Sequence, residues 1–213
     1  MNIIVENNKF KKTVLFIHGF GKTGNQWNIT EYNKEINIES HIRKTYNTIL
    51  ITLHDNDYIR PISDVSVEIY KALDDLLKTK IICVTHSYGS FFAMSMSIQY
   101  PKLFDAIVML DPTIKTDDYL QYLKSLEYNT KNQYQIDNFN MYPNHLDIPK
   151  NIIIKIHLNV DPCLDKDNIT KDLTQLDKIT KHNVKSRLMV HIGVSHMIHY
   201  KIPHIVIDSI KSL

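Results

Sequence analysis

Short apolar runs rich in β-branched residues alternate along this chain with longer segments of helical periodicity. The apolar runs predict strands at 2–5, 13–17, 48–53, 81–84, 104–110, 152–157 and 187–192. The periodic segments predict helices at 27–44, 63–77, 167–181 and 203–213, and a further helix after residue 87 that ends before Pro101. Such alternation predicts a mostly parallel, twisted sheet with helices on both faces.

Residues 113–149 break this alternation. Their first part, 117–128, is a plausible amphipathic helix with Leu120, Leu123 and Leu126 on one side, and 129–144 is polar and aromatic without a clear period. A long connection of this kind is typical of an active-site cover, although the three leucines could equally pack as ordinary core. We therefore predict one domain over 1–213, with 113–149 as a possible lid.

Composition narrows the class of protein. The chain has 213 residues, 43% of them hydrophobic, which suffices for one domain with a substantial core. Its 25 basic and 23 acidic residues nearly balance, and no basic block supports nucleic-acid binding. Neither a leader-like N-terminus nor an apolar run of about 20 residues is evident, so we expect no transmembrane segment.

The two cysteines, Cys83 and Cys163, form no disulfide framework, which favours a reducing compartment and a cytoplasmic protein. His191, His196 and His199 are clustered, but their spacing matches no metal-binding motif, and we expect neither a metal nor a cofactor. The oligomeric state is left open.

The strand predicted at 81–84 runs into a serine followed by small residues. Strand, sharp turn and helix would place Ser87 at the apex, where its hydroxyl projects from the sheet over a helix N-terminus. Gly89 and Ser90 suit the crowded turn, whereas Thr85 stands where glycine is usual. A simple helix cap by Ser87 or Ser90 is the alternative interpretation.

Three of the five glycines of the chain fall in the loop 18–27, which indicates backbone that approaches a site closely. Nucleophilic catalysis by serine also needs a base and an acid that orients the base. Ser87, Asp111, Asp161 and His196 follow successive predicted strands, so all four would meet at the carboxyl edge of a parallel sheet. Either aspartate could be the acid.

With these loops the chain resembles the small, esterase-like enzymes of the α/β-hydrolase fold over nearly its whole length. The resemblance is carried by five motifs: the oxyanion loop 18–20 with Trp27, the nucleophile elbow 85–90, the helix end 100–104, the acid loop 159–162 and the histidine loop 193–196. Several family glycines are replaced, by Thr85, Leu158 and Ser195, and the loop 54–57 has none. The motif context favours Asp161 over Asp111 as the acid, and His18 and His86 as supports of their loops.

The resemblance implies a serine hydrolase that acts on carboxylic esters through an acyl-enzyme. His196 would take the Ser87 proton, Asp161 would orient His196, and the backbone N–H groups of Phe20 and Tyr88 would bind the oxyanion. An apolar pocket for a small ester or acyl substrate is expected around Gly19, Trp27, Tyr119 and Tyr122, with Tyr128 and Tyr134 nearby. An acyltransferase or thioesterase with the same triad, a peptidase or amidase, and a binding protein with decayed catalysis are the alternatives.

Overall fold

The chain folds around a seven-stranded sheet with the order β1-β3-β2-β4-β5-β6-β7. The structure is a computed structural model that describes residues 1–6, 9–28, 37–74, 81–160, 166–181 and 183–213, with the backbone alone for 166–172. The strands are β1 Asn2–Glu6, β2 Thr13–Ile17, β3 Asn47–Thr52, β4 Ile81–His86, β5 Phe104–Leu110, β6 Ile153–Val160 and β7 Arg187–Ile192. Strand β1 pairs antiparallel with β3 and all other pairs are parallel, which confirms the predicted fold class.

Helices cover both faces of this sheet. They are α1 Ile38–Ile42, α2 Ile62–Asp74, α3 Gly89–Gln99, α4 Asp117–Ser125, α5 Thr130–Asp137, α6 Lys166–Thr180, α7 Ile198–Lys201 and α8 Pro203–Lys211. One core lies under α2 and α3, and a second lies under α1 and α8. Every residue of β2 and β4 is buried, as expected for central strands covered on both sides. None of the described helices is long and apolar enough to cross a bilayer.

The 113–149 segment contains two helices rather than the single predicted one. Thr116 caps α4 by accepting a hydrogen bond from the backbone N–H of Tyr119, and Asn129 caps α5 in the same way. The predicted helix over 117–128 therefore ends at Ser125, and α5 occupies part of the stretch that showed no period. Leu123 is buried, while Leu120 and Leu126 are half-buried.

The remaining predictions differ from the structure mainly at element ends. The predicted helix over 27–44 is a 3-10 turn at Gly24–Asn28 and the short α1, and its middle, 29–36, lies outside the described residues. The end of the helix predicted over 63–77 also lies outside them, beyond Asp74. The predicted strand 187–192 matches β7.

Candidate active site

Ser87 lies at a sharp corner between β4 and α3. Its φ angle is +50°, in the left-handed region that non-glycine residues rarely adopt. The corner is held by hydrogen bonds from the Ser87 N–H to the Leu110 carbonyl, at 3.0 Å, and from the Ser90 N–H to the Ser87 carbonyl, also at 3.0 Å. Such strain is typical of a nucleophile elbow, which lifts the serine hydroxyl above the sheet.

Thr85, the residue that departs from the usual glycine, fits into this corner. It is completely buried, and its hydroxyl lies 3.1 Å from the hydroxyl of Ser90. One hydroxyl donates to the other, so each buried hydroxyl has a hydrogen-bond partner in a place with no access to water. The branched side chain is therefore compatible with the elbow.

Two glycines let the loop after β2 lie directly against the elbow. A Cβ atom on Gly19 would lie 2.8 Å from Nδ1 of His86 and 3.2 Å from Cβ of Ser87. A Cβ atom on Gly89 would lie 2.6 Å from the carbonyl oxygen of His18. The distances of 2.8 Å at Gly19 and 2.6 Å at Gly89 are too short for a side chain, so both positions require glycine for close approach.

Replacing Gly89 by alanine is expected to lower the free energy of unfolding by about 2–3 kcal/mol, because backbone must move to admit the methyl group. Urea unfolding measures this change. Gly21→Ala is the matched control: nothing lies within 4 Å of its Cβ position, and its φ of +66° makes left-handed strain the sole cost, about 1 kcal/mol. Equal losses in both variants would contradict the close approach at Gly89.

His18 fixes the orientation of the loop that follows β2. The N–H of Leu53 donates to Nε2 of His18 at 2.8 Å, so the ring proton sits on Nδ1, which donates to the Gly19 carbonyl at 2.7 Å. Burial lowers the pKa of His18 and keeps the ring neutral. Since C=O and N–H point in opposite directions across a trans peptide, this bond turns the N–H of Phe20 away from His18.

The backbone N–H groups of Phe20 and Tyr88 donate to no described residue of the chain. Both residues line the same cavity as Ser87. Two free N–H donors at the same cavity as a serine hydroxyl are the kind of groups that can bind a developing oxyanion, and the assignment of Phe20 and Tyr88 to this role stays a prediction.

His196 pairs with Asp111. Nδ1 of His196 lies 2.7 Å from Oδ2 of Asp111, and Oδ1 of the same carboxylate accepts the N–H of Asn159 at 3.0 Å. Asp111 itself has a φ of +44°, and its N–H donates to the His157 carbonyl at 2.6 Å. The acid favoured by the sequence, Asp161, lies outside the described residues. Among the described residues, the carboxylate in contact with His196 is Asp111, the one that the sequence ranked second.

Asn159 joins the acid to the histidine loop. Its side-chain oxygen accepts the N–H groups of Val194 and Ser195, each at 3.0 Å, and Ser195 has a φ of +95°. One asparagine at the end of β6 thus orients Asp111 with its backbone and the loop before His196 with its side chain. Sequence reasoning placed Asn159 in a motif but gave it no role; an amide side chain close to the end of a predicted strand was the available signal.

His86 contacts both the backbone and the ring of His196. Nε2 of His86 lies 2.9 Å from the His196 carbonyl, and because a carbonyl only accepts, this nitrogen carries the proton. The two rings pack with their centroids 4.6 Å apart. Burial, with the neighbouring His196, lowers the pKa of His86 to about 3, so the ring is neutral.

The hydroxyl of Ser87 makes its hydrogen bond with Thr113, whose Oγ1 lies 3.4 Å from Oγ. The N–H of Thr113 also donates to the Ser87 carbonyl, at 3.2 Å. Thr113 and His196 both line the cavity at Ser87. Thr113 is a site residue that the sequence did not single out.

A cavity of about 260 Å³ opens at the Ser87 hydroxyl. Its wall includes the predicted residues Gly19, Phe20, Tyr88, Tyr119 and Tyr122. Further wall residues, apart from the ones already described, are Lys22, Leu123, Leu126, Asn132, Gln135 and Met197. Aromatic contacts continue behind this wall, where the Tyr88 hydroxyl lies 3.0 Å from that of Tyr142.

Trp27 does not belong to this cavity, and its predicted role in binding substrate is wrong. It is 1% exposed and packs in the second core, with its ring centroids 5.1 Å from Phe16 and 5.0 Å from His199. The 3-10 turn at Gly24–Asn28 turns the large indole inward under the sheet, where burial stabilises it. Tyr128 is 82% exposed on the outer surface, and Tyr134 is not part of the cavity wall.

Among the described residues, no group of three or more histidine, cysteine or acidic side chains is arranged to hold a metal ion. The clustered histidines point to different partners: His191 contacts His157, His196 contacts Asp111, and His199 is buried against Trp27. Cys83 is a buried free thiol whose pKa burial raises.

The fold and motifs identify the family of this chain. A family model described as the alpha/beta hydrolase fold matches residues 12–140. This is more than half of the 213 residues, and the chain belongs to that family. No curated protein sequence matches the chain significantly.

Solved structures with the same architecture include several esterases. An esterase from Thermogutta terrifontis with bound malate is 10% identical, with a TM-score of 0.68 over 99% of this chain and 92% of its own. A hydrolase from Oleispira antarctica is 14% identical, with a TM-score of 0.67 over 99% and 94%. The carboxylesterase CesB from Bacillus subtilis is 12% identical, with a TM-score of 0.62 over 99% and 86%. At these identities the likeness concerns the fold.

Proposed function

We propose that this protein is a serine hydrolase that cleaves carboxylic esters through an acyl-enzyme, with Ser87 as nucleophile, His196 as base and Asp111 as acid. The observation that carries the proposal is the 2.7 Å contact between His196 and Asp111 at the cavity of a strained Ser87. The contact matters because it sets the proton on Nδ1 of His196 and leaves Nε2 able to accept one.

The first half of the reaction acylates Ser87. Its hydroxyl turns from Thr113 to His196, Nε2 takes the proton, and Oγ bonds to the ester carbonyl carbon. Negative charge on the carbonyl oxygen is stabilised by the N–H groups of Phe20 and Tyr88, each worth on the order of 3 kcal/mol. The bond to the alcohol oxygen then breaks, and His196 returns its proton to the departing alcohol.

The second half repeats these steps with water. His196 removes a proton from water, the hydroxide oxygen bonds to the acyl carbon, and the same two N–H groups bind the oxyanion. When the tetrahedral intermediate collapses, the bond to Ser87 breaks and His196 returns the proton to Oγ. The products are the free acid and the original enzyme.

Asp111 is a better candidate for the acid than Asp161 for a reason of hydrogen bonding. Nδ1 of a neutral His196 has one proton to donate, and Asp111 is placed to receive it. The second carboxylate oxygen of Asp111 is held by the N–H of Asn159, and the side chain is 13% exposed. A carboxylate that is fixed and largely buried in this way can hold the imidazole of His196 in one orientation.

Labelling with a fluorophosphonate probe tests the proposal. Wild-type protein is expected to become labelled at Ser87, whereas Ser87→Ala and His196→Ala are expected to remain unlabelled because the first lacks the nucleophile and the second lacks its base. Hydrolysis of short and medium p-nitrophenyl esters should follow the same pattern. Circular dichroism shows that each variant is folded.

Folded wild-type protein that neither labels nor hydrolyses any ester would overturn the proposal and favour a binding protein on a hydrolase fold. Labelling without hydrolysis, with transfer to an added alcohol, amine or thiol, would instead identify an acyltransferase that uses the same residues.

A further inference from the structure

Two polar side chains of α5 interrupt the aromatic and aliphatic wall of the cavity. Asn132 is 9% exposed and Gln135 is 2% exposed, and both line the cavity. They are three residues apart, so they lie on the same face of the helix, with Cβ atoms about 5–6 Å apart. Buried polar groups need hydrogen-bond partners. The groups of Asn132 and Gln135 that have no partner in the protein are the ones that the cavity offers to a ligand.

Gln135 offers a donor. Burial raises the pKa of Tyr119, so its hydroxyl keeps its proton and donates to Oε1 of Gln135 at 3.0 Å. This bond fixes the orientation of the amide, and it is the only hydrogen bond that the Gln135 side chain makes with a described residue, so Nε2 is left without a partner there. The NH₂ group of an amide can donate but not accept.

Asn132 offers an acceptor. Its Nδ2 group donates to the carbonyl of Glu127 at 3.1 Å, which identifies the other end of the amide, Oδ1, as the free end. No described N–H or hydroxyl donates to Oδ1. The cavity therefore presents one acceptor and one donor, which are separated by about one turn of α5.

The position of α5 places Asn132 and Gln135 on the side of the cavity where the acyl group of a bound ester would lie. His196 gives a proton to the departing alcohol, so the alcohol must lie on the His196 side and the acyl group must extend away from it. Lys131, next to Asn132 in α5, lies 5.7 Å from the centroid of the Phe20 ring and forms an ion pair with Asp55 beyond the oxyanion loop. Helix α5 thus lies on the Phe20 side of the site.

We propose that the cavity takes esters whose acyl group carries a secondary amide, with the amide carbonyl accepting from Gln135 and the amide N–H donating to Asn132. This inference rests on the proposed ester hydrolysis and names its substrate class. A secondary amide matches because its carbonyl and N–H point in opposite directions and reach two partners about one helical turn apart. A neutral group also suits a cavity whose described wall has no carboxylate and whose lysine, Lys22, is exposed.

The test compares two p-nitrophenyl esters with the same chain length and branching. One is the ester of N-acetyl-β-alanine, which carries the amide. The other is the ester of 5-methylhexanoic acid, in which CH₂ replaces the N–H and CH–CH₃ replaces the carbonyl. Wild-type kcat/KM is expected to be about tenfold or more higher for the amide, because an apolar chain leaves Gln135 and Asn132 without partners. Gln135→Met should lower kcat/KM for the amide about tenfold and change that for the hydrocarbon by less than about threefold.

Gln133→Met is the matched control. Gln133 lies on the same helix outside the cavity wall, where its amide donates to Asp137 at 2.7 Å. The same substitution there should leave the ratio of the two kcat/KM values unchanged. A wild-type ratio near one, or an equal loss for both esters in Gln135→Met, would overturn the inference while leaving ester hydrolysis in place.

A binding measurement separates this inference from the proposed function. In Ser87→Ala protein, calorimetry with the corresponding ethyl esters reports affinity without turnover. Tighter binding of the amide, lost in the Ser87→Ala, Gln135→Met double variant, supports the amide site. If wild-type protein hydrolyses neither ester and takes no fluorophosphonate label, the proposed function fails; equal binding of both esters contradicts the amide site alone.

Discussion

Replacing Asp111 by asparagine is expected to lower kcat for ester hydrolysis by a factor on the order of 10⁴, with little change in KM. Asparagine has the same shape, but it can turn an NH₂ group toward Nδ1 of His196. Nδ1 would then accept rather than donate, the ring proton would move to Nε2, and Nε2 could no longer take the proton of Ser87. The loss would come from the wrong tautomer in an otherwise intact site.

Asp161→Asn is the matched control, since both aspartates follow a strand and precede a proline. If Asp111 is the acid, this variant is expected to keep kcat within about threefold of wild type, because the imidazole keeps its partner. Because Oδ1 of Asp111 also accepts the N–H of Asn159, the folding of both variants must be compared by urea unfolding. A large loss in Asp161→Asn with near-normal activity in Asp111→Asn would return the role of acid to Asp161.

The sheet could be predicted because its strands are buried on both faces. Strands β2, β4 and β5 are almost entirely buried, which requires continuous apolar runs that no surface helix or loop would have. The elbow at Ser87 could be predicted for a related reason, since a tight corner between strand and helix admits small residues such as Gly89. Local patterns suffice where local geometry restricts the choice of residue.

The contact between Asp111 and His196 could not be predicted in this way. Asp111 and Asp161 both follow parallel strands, and sequence alone does not tell which carboxylate meets the imidazole. The choice depends on register: Leu110 pairs with His157, which brings Asp111 beside the backbone of Asn159, and Asn159 in turn holds the histidine loop. Three strands must be aligned before this arrangement exists.

Helix α5 escaped prediction for a different physical reason. Helical periodicity is detected through apolar residues, whereas the buried residues of α5 are Asn132 and Gln135. Its one clear sequence signal was the capping residue Asn129. Trp27 illustrates the opposite error, because an aromatic residue near a glycine-rich loop fits a pocket or a core equally well, and tertiary packing places it in the core.

The free energy of unfolding is expected to fall as the pH decreases from about 7.5 to about 5, by about 2 kcal/mol each for the buried, neutral His86 and His157. Burial lowers the pKa of His86 and of His157 to about 3, and it also lowers the pKa of His18 and His199. In the unfolded chain these rings take up protons near pH 6.5. The unfolded state therefore binds more protons in this range, and stability present above pH 6.5 is lost as the pH falls toward the folded-state values.

The surroundings of His86 and His157 offer no compensation for their protonation. His86 faces His196, His199 and Lys22, and His157 faces His191, Lys155 and the hydroxyl of Ser209. No carboxylate is in contact with either ring in the part of the chain that the structure describes.

Urea unfolding at several pH values measures this dependence, and the slope of the free energy against pH is the informative quantity because replacing a buried residue changes stability at every pH. His157→Asn should reduce the slope near pH 5 by about one proton, and His86→Asn should do the same. Replacing the exposed His204 by asparagine should leave the slope nearly unchanged. If the slope of His157→Asn equalled that of wild type, His157 would have to be protonated in the folded protein, with its two ring nitrogens donating to His191 and Ser209. The two histidines together account for about 4 kcal/mol between pH 7.5 and pH 5, a large part of the roughly 5–15 kcal/mol that stabilises a domain of this size.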